Sequence, residues 1–477
     1  MKQPFKWGLL AILALAQFMV VLDSAIVNVA LPAIQQALHF TNGNLQWIIT
    51  AYTLAFGGFL LLGGRAADLY GRRRMFLLGV IGFTVASLLA GVANSSTMLI
   101  VMRGIQGLSA AFMSPAALSI VLTSFSEGKA RNTALGIWAA VAAGGAAAGV
   151  LLGGVLTQYL DWRWNFFINL PVGLFVIFMS LKMVPVHAKE VAHNDLDLPG
   201  AVLVTGGLMT LVYALVQAPT WGWLEGSTLG LFALSTAMLV GFVINESRVK
   251  HPLMPLSLFR IRNVSAANLV QLPITAGLFA MFYFLSLYLQ AVLGYSPVLS
   301  GLSFLPITFI IAIVATLTSQ IVVKVGFKPI LVAAPMLMAI GLYWLTHLSV
   351  NGSYLVDVFP GLALIAVGAG MSFVALTIAA TSGVPGNESG LASGLINTAQ
   401  QIGGALGLAI LSGIATSRIT EVMATSPQTP AAVANASVEG FQSALMVGMF
   451  FAIGAAILAA TLIHNQRQAA TGHVSTH

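Results

Sequence analysis

Fourteen apolar runs of roughly membrane-spanning length divide this chain. They lie near 7–31, 45–64, 75–93, 97–122, 134–159, 164–184, 198–217, 227–245, 264–290, 298–322, 329–349, 354–379, 390–416 and 440–463. In hydrocarbon every backbone N–H and C=O must be satisfied internally, which a helix does and an open strand does not. No interval between runs could hold a soluble domain, so a single polytopic all-α membrane protein is expected. Composition agrees: 58% of residues are apolar and 7% are charged, against about a quarter charged in a soluble domain. Glycine, at 48 residues, suits close helix–helix contact in lipid. The absence of cysteine excludes disulfides, thiolate nucleophiles and cysteine metal sites.

Lys2 and Lys6 precede the first run as in a signal peptide, but the apolar stretch continues to Leu31, longer than a signal core. Lysine and arginine set the orientation. With the N-terminus inside, seventeen of the 20 fall in inner segments and only Arg163 and Arg418 in outer ones, with Arg103 inside a run. Both termini are therefore expected in the cytoplasm, at a cell (inner) membrane. The formal net charge of +7 then reads as inner-leaflet anchoring, which makes lipid, not nucleic acid, its partner. Six of eight tryptophans (Trp7, Trp47, Trp162, Trp164, Trp221, Trp223) fall near run ends, as in an interfacial aromatic belt. The segment 418–439, rich in Ala, Thr, Ser and Pro, reads as an outer loop of low order, and the polar end as a disordered tail.

Two charges interrupt the runs. Asp23 lies ~24 Å from the inner end of the first helix at ~1.5 Å per residue, and Arg103 ~9 Å from the outer end of the fourth. In a core of ~30 Å the two share a depth. Asp23 shares a face with Ala16, Met19, Val27 and Ala30; Arg103 shares one with Gln106, Gly107, Ala110 and Ser114. An unpaired charge there costs at least ~2.5 kcal/mol, so the two are expected to meet, as a fixed pair or as a proton-responsive one.

Several segments carry a family resemblance. "LDSAIVNVALP" (22–32), "LQWIITAYTLAFGG" (45–58), "GGRAADLYGRRR" (63–74), "LIVMRGIQGLSAA" (99–111) and "GGAAAGVLLGG" (144–154) resemble, in order, motifs of the drug/proton antiporters of the major facilitator superfamily. "WRWNFFINLP" (162–171) and "SGLASGLINTAQQIGGALG" (389–407) resemble segments of its fourteen-helix branch. Val150 stands where the fifth-helix motif usually has proline, Leu69 where a basic residue is usual, and Gln400 where relatives often carry arginine.

The resemblance implies a major facilitator fold of fourteen helices arranged 6 + 2 + 6. Residues 1–190 would form an N-terminal six-helix bundle, 191–262 two inserted helices and 263–465 a C-terminal bundle, with 466–477 a tail. A degenerate repeat supports two related halves: "SQIVVKVGFKP" (319–329) aligns with "GRAADLYGRRR" (64–74), placing Gly326 on Gly71. The resemblance further implies proton-coupled export of amphipathic or cationic drugs, with Asp23 and Arg103 coupling. The alternative is export of a lipid, a metabolite or a tetracycline-like compound. Gly64, Asp68, Gly71, Arg72 and Arg73 would gate the cytoplasmic side, the two glycines making a tight reversal. Gly145, Gly149, Gly153 and Gly154 would pack the fifth helix closely.

Candidate cavity walls on the first six helices are Met19, Tyr52, Phe56 and Gln106. On the later helices they are Phe279, Phe282, Tyr283 and Phe304, with the amides Asn397, Gln400 and Gln401. No phosphate loop or metalloprotease motif occurs, so neither an enzyme, a metal nor a cofactor is expected, only a proton gradient. A periplasmic adaptor suits the branch, though nothing in the sequence demands one.

Overall fold

The computed structural model describes residues 3–125, 129–184, 197–250, 252–384, 389–427 and 429–464. Fourteen long helices form: α1 (Gln3–Ala37), α2 (Trp47–Tyr70), α3 (Arg72–Gly91), α4 (Ser96–Ser124), α5 (Lys129–Tyr159), α6 (Asn169–Met183) and α7 (Leu198–Trp221). There follow α8 (Gly226–Arg248), α9 (Arg262–Leu287), α10 (Pro297–Val325), α11 (Phe327–Leu345), α12 (Phe359–Thr381), α13 (Ser389–Thr425) and α14 (Pro430–Leu462). Among the described residues thirteen segments are long and apolar enough to cross a membrane. The 31-residue α5 runs beside them, packed on α1 and α10. The protein is a multi-span, all-helical membrane protein, with no strand among the described residues.

Helices α1–α6 pack chiefly on one another, as do α9–α14. Hairpin α7–α8 lies outside both groups, with α7 against α2 and α13. The exposed face of α8 carries Leu229, Leu234, Val240, Val243 and Ile244, as a lipid-facing surface does. Three hydrogen bonds tie the two groups together at the end opposite the termini. Ser286 Oγ donates to the Asn28 carbonyl at 2.6 Å, Gln290 Nε2 to that of Val29 at 2.9 Å, and the Val298 N–H to Gln158 Oε1 at 3.2 Å.

The repeat is visible in the backbone. Gly71 joins α2 to α3 at φ 97°, and Gly326 joins α10 to α11 at φ 81°. Both lie where side chains are strained and glycine is not, so one reversal survives in both copies although the acid and most of the basic residues around the second have gone, leaving Lys324 and Lys328.

Gly64 plays no part in that turn. It lies inside α2, where a Cβ would stand 3.7 Å from Pro115 of α4, an ordinary contact distance, so neither a turn nor a close approach requires glycine there. Trp162 is buried at 3% exposure, its ring under the Arg163 guanidinium at 4.4 Å, not in an interfacial belt. The segment 418–439 is not a low-order loop: α13 runs to Thr425 and α14 begins at Pro430. Alanine-rich sequence sustains helix beyond the lipid, Thr429 caps α14, and Arg418 bridges Glu421 at 2.9 Å and Glu439 at 2.7 Å. Helix α5 passes through Val150 without a break. The boundary at 190 and the tail 466–477 fall outside the described residues.

Candidate functional site

Helices α1 and α4 bring Asp23 and Arg103 into a direct ion pair, both at 1% exposure or less. Around it sits a closed set of donors and acceptors. Asp23 Oδ2 accepts from Arg103 Nη1. Asp23 Oδ1 accepts from Gln106 Nε2 at 3.1 Å and from Asn169 Nδ2 at 2.8 Å. Ser87 Oγ of α3 accepts from the same two amides, at 2.8 and 3.2 Å. Arg103 is held independently: Nε donates to the Ile48 carbonyl at 3.0 Å and Nη1 to Gln106 Oε1 at 3.0 Å. Its guanidinium lies 4.3 Å from the Tyr52 ring centroid, a cation–π distance. Five of the first six helices meet here. A buried charge pair offsets its desolvation only when its remaining hydrogen-bonding positions are filled, and here both Asp23 oxygens and Arg103 Nε and Nη1 have partners.

Helix α5 backs this site through its glycines. A Cβ on Gly145 would stand 3.1 Å from the Phe18 carbonyl, one on Gly149 2.8 Å from that of Leu22, and one on Gly153 2.7 Å from that of Ile26. The two backbones therefore touch on either side of Asp23. Gly154 faces another way, against Pro297 and Val298 of α10, and joins the distal contact between the two groups.

At the turn after α2, Asp68 faces Arg72 at 3.7 Å. Arg73 Nη2 donates to the Leu181 carbonyl at 2.7 Å, satisfying the open C-terminal end of α6. The charges thus tie α2, α3 and α6 together at the terminal end.

The residues proposed as cavity walls separate into two sets. Met19, Gln106, Tyr283 and Phe304 are 0–2% exposed. Gln106 is a member of the ion-pair network with both amide ends engaged, and Tyr52 is the ring under Arg103. Phe282 stacks on Phe304 at 5.5 Å, Phe56 stands 6.0 Å from Tyr52, and Phe279 packs over Gly404. On α13, Gly57 contacts Gln401 and Leu61 contacts Gly394, marking the side against α2; Gly403 contacts Leu272, marking the side against α9. Asn397 lies on the face between those two sides and is exposed, with Ser393 and Gln400 half-buried beside it. Residues Ile402, Ala405 and Ala409 face the other way, toward α2 and α7. The amides Asn397 and Gln400 therefore look into the space between the two groups of six.

Sequence reasoning quoted the segment containing Asn169 but did not single the residue out, and it passed over Ser87. The available signal was an amide and a hydroxyl within apolar runs at the depth of Asp23.

Spanning helices in two six-helix groups, one of them built around a sealed ion pair, define a membrane transporter. The chain belongs to the Major Facilitator Superfamily, whose family model matches residues 13–408. It is similar to the puromycin resistance protein pur8 of Streptomyces alboniger, 41% identical over 98% of this chain and 94% of that protein. The cephamycin export protein CmcT of Amycolatopsis lactamdurans is 39% identical over 83% and 82% of the two chains. The multidrug resistance protein Stp of Mycobacterium tuberculosis is 36% identical over 84% and 74%. In fold it resembles the POT family transporter PepTSo, with a TM-score of 0.70 at 16% identity over 96% and 98% of the chains. The inward open xylose transporter XylE of E. coli gives 0.64 at 12% identity over 97% of each.

Proposed function

We propose that this protein is a proton-driven exporter of amphipathic or cationic drugs and toxic compounds, working by alternating access. The observation that carries the reading is the Asp23–Arg103 pair, a carboxylate sealed in the outer half of the membrane among an arginine and two amide donors. Relatives named for antibiotic resistance and export give the substrate class its support.

In this reading Asp23 takes up a proton from the outer side. Its charge is then gone, and the Gln106 and Asn169 amides lose an anionic acceptor. Arg103 keeps Ile48, Gln106 and the Tyr52 ring as partners, so it need not follow the proton. The α1–α5 seam lies directly against Asp23, and rearrangement there would reach the distal contact through Gly154 and α10. A protonated site permits one closure of the cleft and an ionised site the other. The amides of α13 would meet the substrate. Asp68, Arg72 and Arg73 would latch the terminal side, between bundles spanning 1–190 and 263–465 with 191–262 inserted.

Its place would be the inner membrane with both termini cytoplasmic, as the lysine and arginine distribution favours. The partners are a small amphipathic molecule and lipid. The test is efflux of several dyes from vesicles with and without a proton gradient. Gradient-dependent efflux of drug-like dyes supports the reading. Gradient-dependent efflux confined to a lipid, a metabolite or a tetracycline would move the substrate class, and efflux indifferent to the gradient would remove the coupling.

A further inference from the structure

The inserted hairpin holds a second buried acid site, far in sequence from Asp23. Asp197 is the N-cap of α7 and Glu246 lies in the last turn of α8; each is 4% exposed. Asp197 is well supplied with donors. Its Oδ1 accepts from the Gly200 N–H at 2.9 Å, and Asn245 Nδ2 reaches Oδ1 at 2.8 Å and Oδ2 at 2.7 Å. The positive end of α7 adds to this stabilisation of a negative charge. Glu246 is supplied on one side only: Oε2 accepts from the Met254 N–H at 2.8 Å, while Oε1 is buried with no donor among the described residues. A methyl group on Gly200 would strike both Asp197 Oδ2 and Glu246 Oε1, so these two oxygens, of which only Glu246 Oε1 has no donor, converge over one backbone atom. The added methyl would stand 2.8 Å from Glu246 Oε1 and closer still to Asp197 Oδ2, so the two carboxyl groups are close neighbours.

Two carboxyl groups converging on one buried spot resist ionising together, and one proton between them would turn repulsion into a hydrogen bond. A buried carboxylate oxygen without a donor is costly; the same oxygen carrying a proton becomes a donor to Asp197 Oδ2. We propose that Asp197 and Glu246 form a proton-binding carboxyl pair, with Glu246 as the carrier, separate from the Asp23 site. The assignment does not rest on the transport reading.

The charged residues on the elements around the pair are Arg65 and Asp68 on the terminal half of α2, and Arg248 and Lys250 at the exposed end of α8. Helix α13 brings none between Ser389 and Ser417. Asp195 and His251, near in sequence, lie outside the described residues. The pair sits where the hairpin meets α2: Ala201 packs with Leu62 and Leu253, and Thr205 fills the space at Gly58. Loss of the proton would place a second negative charge beside this seam and loosen it.

The test is infrared spectroscopy of the full chain in lipid vesicles with 13C-labelled glutamate. The expected result is a protonated glutamate carbonyl band at neutral pH that Glu246→Gln removes and that disappears in the wild type as pH rises. Because the native pair then holds more protons than the unfolded chain, the melting temperature falls over that same pH range in the wild type but not in Glu246→Gln. A wild type without the band at neutral pH overturns the proposal, whatever the variant does. So does a band that survives in Glu246→Gln, or one that no pH change removes.

Discussion

Asn169 Nδ2 stands 2.8 Å from Asp23 Oδ1, so the start of α6 holds the carboxylate that α1 carries and α4 neutralises. Three helices therefore share control of one charge. Replacing Asn169 by alanine removes a buried donor to an ionised oxygen, a loss of ~1–3 kcal/mol. The melting temperature should fall, and gradient-driven efflux should fall more than substrate binding. Unchanged values of all three would show that Asn169 is only packed nearby.

Arg103→Ala and Asp23→Asn should not be equivalent. The first leaves a carboxylate among neutral groups in the outer half of the membrane, and breaking a buried pair this way costs ~3–5 kcal/mol. The second leaves Arg103 with the Ile48 carbonyl, Gln106 and Tyr52. Each variant leaves one buried charge without its counter-charge, so reduced yield and early unfolding are expected for both, measured by thermal aggregation in detergent, with proton coupling lost outright in Asp23→Asn.

A Cβ on Gly149 would stand 2.7 Å from Ala25 Cβ and 2.8 Å from the Leu22 oxygen. The nearest atoms are mostly backbone, so α1 must move to admit a side chain. Gly149→Val should destabilise by ~1–3 kcal/mol, as overpacking does, and impair coupling. Gly144 has nothing within 4 Å of the same position; Gly144→Ala should be close to neutral in both assays.

Gly326 sits at φ 81° and ψ 172°, a region other residues occupy at a cost of ~1–3 kcal/mol. Gly326→Ala should lower the melting temperature accordingly, and Gly71→Ala should do so at the equivalent turn.

The chain contains no cysteine, so a single introduced thiol reports its own surroundings. Asn397→Cys should react with a membrane-impermeant maleimide and be protected by an exported drug. A thiol labelled only by lipid-soluble reagents would place this face of α13 against acyl chains.

The number of helices, their order and the approach of Asp23 to Arg103 were legible because lipid enforces them: apolar length sets the spans and the cost of a lone charge sets the pair. What lay outside that rule was harder to read. Arg418 and its neighbours looked like a loop because hydropathy falls there, yet ion pairs and a proline start extend the helices beyond the lipid. Gly64 and Gly71 look alike in sequence, and only the backbone shows that one continues a helix and the other turns. Asn169 and Ser87 are single polar residues in apolar runs, and nothing local says which face of the helix meets Asp23. Asn397 and Gln401 lie four residues apart, yet one faces the cleft and the other covers Gly57.

The most direct test is drug-dependent proton movement in proteoliposomes containing wild type or Asp23→Asn at matched, folded levels. The account predicts proton release on drug addition in the wild type and none in the variant, with drug binding retained. Equal proton release from both would contradict it, leaving Asp23 and Arg103 as a strut between two helices.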